Sequence, residues 1–313
     1  MIVDAFYAAP ALLILALGIY TTAVRDTFPA TVGYLVYGLL LTVAWVQLHG
    51  VDVALTEAAI GGGLTGMLLV RASAKLRATE TQARDERPRL LVRLLAGLMA
   101  AGIAGALAIA LLALPDPAPT LAPEVAANIA STGVGNPITA VLMAYRAMDT
   151  MLEAIVLLLA LIGVWSLAPD RVWGGRPGPR YNADPDGILA FIARVLPPIG
   201  IIVGIYIFWV GADHPGGKFQ GATIVAAMWL LTLMAGLTDA PPISRRWVRV
   251  LLVAGPVVFI AVGIAGVLLT GTFLAYPEGW AKPMILVIEF ALMPSLALTL
   301  GLILAGAPER AVE

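Results

Sequence analysis

The sequence contains no cysteine and few charged residues, and each of these features excludes some classes of protein and of binding site. The absence of cysteine excludes disulfides, iron–sulfur clusters and thiolate metal sites within the chain. Only two histidines, His49 and His214, are present, which is too few for an intrachain haem pair together with a metal site. Charged residues make up 12% of the chain, about half the share of roughly 25% found in soluble domains. We expect no metal, no cofactor and no nucleic-acid partner.

Long apolar runs take the place of the missing charge. Residues 94–114 and 250–274 contain no charged residue at all, and a helix needs about 20 apolar residues to cross a bilayer. The successive apolar runs predict an all-α, polytopic integral membrane protein with about nine transmembrane helices. These helices are predicted near residues 5–24, 31–48, 52–71, 92–114, 138–168, 188–211, 219–237, 249–272 and 284–306.

The distribution of lysine and arginine predicts the topology. Two basic residues, Lys218 and Lys282, lie in one alternating set of loops, and Arg146 lies inside a helix. The other set of loops and helix ends carries Arg25, Arg71, Lys75, Arg77, Arg84, Arg87, Arg89, Arg93, Arg171, Arg176, Arg180, Arg194, Arg245, Arg246, Arg249 and Arg310. Because basic residues stay on the cytoplasmic side, we expect the N-terminus outside and the C-terminus in the cytoplasm. The expected location is the inner membrane of a bacterium or archaeon.

The fifth predicted helix carries three charged residues inside the bilayer. Arg146, Asp149 and Glu153 are three and four positions apart, so a continuous helix places them along one stripe. Arg146 can neutralise only one carboxylate at a time, and the other must bind a proton, a cation or another base. This stripe is either an ion relay or an ion-paired surface that locks the helix against its neighbours.

The third predicted helix combines carboxylates with glycines. Asp52 lies near the outer surface, where it either is simply solvated or has a role in ion binding. Glu57 lies about 7 Å deeper, at the helical rise of 1.5 Å per residue, and is expected to be a protonatable group. Four glycines follow at positions 61, 62, 63 and 66. They indicate either close helix packing or a distortable helix beside a carboxylate, in the form of a π-bulge.

Secondary candidates lie on the outer side of the predicted bundle. The segment 211–222 requires a tight turn at its Pro-Gly-Gly sequence, and Asp213, His214 and Lys218 cluster there. This segment is interpreted as a shaped loop or a polar vestibule, because one histidine and one aspartate make no metal site. Glu289, in the ninth helix, has no basic residue near it in sequence and is expected to face either a polar cavity or a partner subunit.

These motifs resemble parts of Mrp-type multisubunit Na⁺/H⁺ antiporters. Residues 47–66 contain D-V-A-L-T-E-A-A-x-G-G-G-L-T and resemble a three-helix domain that occurs in the C-terminal part of the A-type subunit of these antiporters, and also in a small subunit of membrane-bound hydrogenases. Residues 136–168 contain R-x-x-D-T-x-x-E and look like the module that follows in the A-type subunit. Residues 188–306 resemble the B-type subunit, whose motif reads G-H-N-x-P-G-G-G-F-x-G-G.

The sequence also departs from the family pattern. Ala212 replaces the histidine, Asp213 the asparagine and Lys218 a glycine of the B-type motif, and Ala144 replaces an aspartate of the preceding module. The resemblance predicts a fusion of the A-type C-terminal modules with a B-type subunit, in three domains. These are a three-helix domain over 1–75, a two-helix module over 90–170 and a four-helix B-type domain over 185–307.

The resemblance implies part of a transporter and not an independent enzyme, and no nucleotide-binding or nucleophile motif contradicts this. The implied role is membrane scaffolding together with an ion path through Glu57, Asp149 and Glu153, tuned by Arg146. The implied partners are other membrane subunits of an Mrp-like or complex I-related assembly, the lipid bilayer, Na⁺ and H⁺. The alternatives are the membrane arm of an energy-converting hydrogenase or complex I relative, a subunit of a complex that drives inorganic-carbon uptake, and a purely structural bridge.

Overall fold

The structure, a computed structural model, describes residues 2–83 and 89–311. Arg84 and Arg87, two members of the basic set used to predict the topology, lie outside these residues. Helices account for nearly all regular structure in the described part. The α-helices are α1 Ile2–Ala23, α2 Thr27–Gln47, α3 Val51–Thr56, α4 Gly66–Ala83, α5 Leu90–Leu112, α6 Ala122–Thr132, α7 Pro137–Ala140, α8 Ala147–Trp165, α9 Ile188–Val210, α10 Lys218–Met234, α11 Arg246–Thr270 and α12 Ala281–Ala305.

Two π-helical segments, a 3₁₀ helix at Asp170–Val172 and a short β-pair accompany these α-helices. The segment π1, Glu57–Thr65, joins α3 to α4, and the segment π2, Val141–Tyr145, lies between α7 and α8. Strand β1, Arg176–Pro177, pairs antiparallel with strand β2, Pro308–Arg310.

Seven helical stretches in the described part are long and apolar enough to cross a membrane, and two shorter apolar helices accompany them. A multi-pass, all-α membrane protein is therefore confirmed, while the count of nine spans stays a prediction. The sequence did not predict α6, which lies in the proline-rich connection before the fifth span. Pro123 lies in its first turn, where the missing N–H costs nothing, and Gly133 ends it with a φ of 67°.

The connections between helices gather at two ends of the bundle. At one end β1 pairs with β2, Arg310 pairs with Asp239 at 2.7 Å, and Arg71 donates to the backbone carbonyl of Leu304 at 2.6 Å. At the opposite end Lys282 pairs with Asp213 at 2.7 Å. Residues that the sequence assigned to the basic set of loops thus meet one another at the first end.

Helix α12 forms the centre of the C-terminal half. Sixteen of its residues are buried, and α8, α10 and α11 pack around it. Small residues bring α9 and α10 into close contact, because a Cβ added at Gly221 would lie 2.5 Å from the carbonyl oxygen of Gly204. Helix α5 is the opposite extreme, since every one of its residues is exposed.

Candidate functional site

A cavity of about 270 Å³ lies where the three predicted domains meet. Four ionisable side chains line it, each from a different helix: Asp52 from α3, Glu153 from α8, Lys218 from α10 and Glu289 from α12. The two π-helical segments complete its wall through Ile60 and Leu142. Such segments frequently occur at functional sites because they open the regular backbone ladder. The cavity therefore joins charged groups to two distorted helices.

Lys218 and Glu289 form a buried ion pair in the cavity wall. The Nζ atom of Lys218 lies 3.3 Å from Oε1 of Glu289, and the two side chains are 8% and 3% exposed. The same Nζ lies 3.2 Å from the sulfur of Met143. The prediction that Lys218 belongs to the outer loop is therefore wrong, since it is the buried first residue of α10. Glu289 lines a polar cavity, one of its two predicted surroundings, and its basic partner comes from a helix distant in sequence.

The turn before α10 explains why Lys218 points inward. Gly216 and Gly217 have φ values of 149° and 148°, a conformation that side-chain-bearing residues rarely adopt. A Cβ at Gly216 would also lie 2.4 Å from the carbonyl oxygen of Ile207. The two glycines fold the loop tightly onto the end of α9, so α10 begins immediately and its first residue, Lys218, is buried.

Asp52 organises the outer end of the cavity. Its Oδ1 accepts hydrogen bonds from the backbone N–H of Gly216 at 2.9 Å and from Nδ2 of Asn136 at 3.3 Å. Asn136 also donates to the carbonyl oxygens of Gly211 and His214. Simple solvation of Asp52, one of the two sequence-based interpretations, is therefore wrong, because the carboxylate ties together segments from all three predicted domains.

The fifth predicted helix is interrupted at Arg146, where the backbone leaves the helical conformation with φ −128° and ψ 37°. The predicted continuous stripe is therefore broken. Arg146 forms an ion pair with Asp149, and these side chains are 71% and 54% exposed. Glu153 lines the cavity instead. Glu153 is itself exposed and lies four residues after Asp149 on the continuous helix α8, so these two carboxylates share one face of that helix.

Two side chains satisfy the carbonyl groups that this interruption frees. Thr150 donates its hydroxyl to the carbonyl oxygen of Leu142 at 2.6 Å, and Tyr276 donates its phenol to that of Met143 at 2.7 Å. Burial raises the pKa of Tyr276, so its phenol stays protonated and remains a donor. Backbone groups that lose their helical partners inside a membrane must find other hydrogen-bond partners. The hydroxyls of Thr150 and Tyr276 supply them, so the fold stabilises the break at Arg146.

Glu57 begins the predicted π-bulge, which the structure confirms as π1. Its carboxylate folds over Gly61, where an added Cβ would lie 2.1 Å from Oε1, and it faces Gly38 of α2. The glycines therefore make room for a carboxylate as well as distorting the helix. Glu57 does not line the cavity, so the structure does not bring it together with Glu153.

Asp213 and His214 lie on the exposed part of the outer loop. The hydrogen bond from Lys282, together with a backbone hydrogen bond from Gly135, holds the pKa of Asp213 below its ordinary value. This pair fastens the loop to the start of α12. Asp213 therefore has a structural partner, and it is separate from the cavity that Lys218 enters.

Sequence reasoning missed the neutral polar residues of the site. Asn136 caps α7 by accepting from the N–H of Ile138, and it also reaches Asp52. Gln220 donates to the hydroxyl of Thr56 at 2.9 Å across the cavity wall. Asn136 could have been found, because an asparagine before a proline is a recognisable helix N-cap. Gln220 gives no such signal, since only the tertiary fold brings it to Thr56.

Comparisons with known families identify two domains in the chain. Residues 188–307 match a domain related to the MnhB subunit of Na⁺/H⁺ antiporter, and residues 12–78 match MbhD, a subunit of MBH. A curated relative is an uncharacterized protein of Methanocaldococcus jannaschii, 24% identical over 156 residues, which are 45% of this chain and 60% of that one. This chain therefore spans less than two thirds of that relative.

Two solved structures share the fold. The Mrp complex from Dietzia sp. DQ12-45-1b contains a chain that matches with a TM-score of 0.72 and 22% identity, over 97% of this chain and 35% of that one. The membrane-bound sulfane sulfur reductase, an archaeal respiratory membrane complex, contains one that matches with a TM-score of 0.56 and 24% identity, over 69% of this chain and 99% of that one. The resemblance to a fusion of these modules, predicted from the motifs, is thereby confirmed.

Proposed function

We propose that this chain, which joins an MbhD-type domain to an MnhB-related domain, is a membrane subunit of a multisubunit cation/proton antiporter. The observation that carries the proposal is the cavity at the junction of the domains, where Glu153 faces a buried Lys218–Glu289 pair between two π-helical segments. Ionisable groups inside a membrane protein are costly, so a cluster of four has a functional explanation by default.

Glu153 is the proposed exchanging group of the ion path. It lines the cavity together with Lys218. Among the described residues it forms no ion pair, whereas Asp149 is paired with Arg146. A carboxylate without a fixed partner can take up and release a proton or a cation as its surroundings change.

The exposed Arg146–Asp149 pair supports docking of another membrane protein of the complex. A charged pair that faces hydrocarbon is costly, while the same pair against polar groups of a neighbouring subunit is not. The proposed path continues through this face, where Arg146 and Asp149 connect the cavity to the partner. Glu57 faces α2 and does not line the cavity. It is proposed as a second protonatable group, on a part of the ion path that does not pass through the cavity.

Transport by the assembled complex in inverted membrane vesicles tests this proposal. We expect Glu153→Gln to assemble normally and to abolish or strongly reduce Na⁺-driven proton flux, and Glu153→Asp to retain part of it. Glu124→Gln is the matched control, because Glu124 is an exposed carboxylate in the first turn of α6 and away from the cavity. Normal flux in an assembled Glu153→Gln complex would contradict the proposed path.

The proposed orientation places the basic end of the bundle in the cytoplasm of a bacterial or archaeal cell. The clustering of basic loops at one end supports it. Because the chain contains no cysteine, a single introduced thiol can be labelled without a background. We expect Asp186→Cys to react only from the cytoplasm and Ala127→Cys only from outside. Labelling of both from one side would contradict the nine-span arrangement.

A redox-driven complex is the second candidate. The match that covers 99% of a chain in an archaeal respiratory membrane complex favours it. Mass spectrometry of the intact complex, purified in mild detergent, separates the two candidates. Iron–sulfur or nickel–iron proteins in stoichiometric amounts would favour the redox-driven complex, and their absence together with large antiporter subunits would favour the antiporter.

A further inference from the structure

The cavity already contains a cation that belongs to the chain itself. The Lys218 ammonium is held between Oε1 of Glu289 at 3.3 Å and the sulfur of Met143 at 3.2 Å. An ammonium has three N–H donors and no acceptor, so it interacts with carboxylates much as a bound monovalent cation does. Unlike a free ion, it cannot leave, because the side chain starts at the first residue of α10.

The other carboxylates of the cavity are not equally available. Asp52 accepts hydrogen bonds from Gly216 and Asn136, which fix the outer loop. Glu289 already forms an ion pair with Lys218. The Tyr276 phenol, from the loop before α12, donates to the backbone carbonyl of Met143. Glu153 is therefore the carboxylate of this cavity with capacity to bind another species.

A single available carboxylate beside a fixed ammonium favours a proton over a metal ion. Hard cations are bound by several oxygen ligands at once, which replace their hydration shell. A second cation in this cavity would also be repelled by the buried ammonium of Lys218. A proton needs only one carboxylate oxygen, and it neutralises Glu153 without adding a separate charged particle to the cavity.

We propose that Lys218 is the residue that determines selectivity in this cavity, by acting as a tethered cation that excludes Na⁺ and leaves Glu153 to exchange protons. The inference rests on the proposed function and assigns this cavity to the proton limb of the exchange. The B-type motif that this loop resembles has glycine at the position of Lys218. Loss of the side chain would remove the fixed charge and open the space that its stem and ammonium occupy.

Sodium binding by the purified full chain tests the inference without any transport measurement. The melting temperature of the wild-type chain in detergent should be equal in NaCl and in choline chloride at the same concentration. Lys218→Gly should show a higher melting temperature in NaCl, by about 2–4 °C at concentrations near ten times the dissociation constant. Lys218→Gly combined with Glu289→Gln should lose this difference, because the carboxylate released by the first change is removed by the second.

Two results would overturn the inference. One is saturable binding of ²²Na⁺ by the wild-type chain that Glu153→Gln abolishes, a measurement that needs no change at Lys218. The other is a folded Lys218→Gly chain that responds equally to both salts. If that variant cannot be purified in folded form, Lys218→Ser also truncates the side chain and serves the same test. Absence of antiport by the complex would instead contradict the proposed function and leave these binding results unaffected.

Discussion

Two ion pairs within the membrane-spanning helices that the structure describes are built from the same kinds of groups and lie in opposite surroundings. Arg146, at the break before α8, and Asp149, in the first turn of α8, are three residues apart, with side chains 71% and 54% exposed. Lys218 and Glu289 are 71 residues apart and come from two helices, with side chains 8% and 3% exposed. The first pair forms locally, while the second exists only after α10 and α12 have packed.

The difference in burial predicts different roles: the buried pair stabilises this chain, and the exposed pair contacts another subunit. Removing one partner of a buried pair leaves an uncompensated charge, which costs roughly 3–5 kcal/mol. An exposed pair contributes about 0–1 kcal/mol to the stability of its own chain. The buried pair is therefore an integral part of this fold, and the exposed pair acquires its importance in the assembled complex.

Loss of Glu289 gives the largest expected effect on the isolated chain. Glu289→Gln leaves the Lys218 ammonium buried without its carboxylate, so the free energy of unfolding should fall by roughly 3–5 kcal/mol. Thermal unfolding of the purified chain measures this loss. The double variant Glu289→Gln with Lys218→Met removes both charges and should recover most of the stability. A double variant as unstable as the single one would mean that the charge pair is not the cause.

Loss of Arg146 should have a smaller effect on the chain and a clear effect on assembly. Arg146→Gln should change the free energy of unfolding of the isolated chain by less than about 1 kcal/mol. The amount of partner protein that co-purifies with it should fall, because Asp149 then meets the partner without its counter-charge. A loss of chain stability as large as that of Glu289→Gln would remove the contrast between the two pairs.

The outer pair of Asp213 and Lys282 gives the smallest expected effect and depends on pH. Because Lys282 holds the pKa of Asp213 below its ordinary value, the contribution of the pair is complete above the ordinary carboxyl pKa of about 4 and is lost as the pH falls through the lowered value. Asp213→Asn should therefore lower the melting temperature slightly at neutral pH and leave it unchanged in strong acid. An equal difference at both pH values would exclude a role for this ionisation.

The sequence was sufficient for features that depend on neighbouring residues. Apolar runs predicted the helices, and the π-bulge now described as π1 was one of two interpretations of the glycine cluster after Glu57. The exposed pair of Arg146 and Asp149 also follows from their spacing, although the break at Arg146 does not. That break depends on donors from Thr150 and Tyr276, and Tyr276 is 133 residues from the carbonyl that it binds.

The charge state of the cavity could not be predicted, because it depends on contacts between distant segments. Lys218 looks like a loop residue in the sequence, since it follows Pro-Gly-Gly on the outer side. Its burial results from the positive φ angles of Gly216 and Gly217, which turn the chain into α10 at once. Glu289 looks unpaired for the same reason, since nothing in α12 itself indicates which helix supplies its partner.

The hydrogen bonds of Asp52 have a consequence for the order of synthesis. The carboxylate lies in the third helix to leave the ribosome, but the N–H that it accepts from belongs to Gly216, 164 residues later. Until that loop arrives, Asp52 lacks this partner at the outer edge of the membrane. The closure of this contact is thus a late event in biogenesis, and it occurs only in chains whose three segments have all inserted.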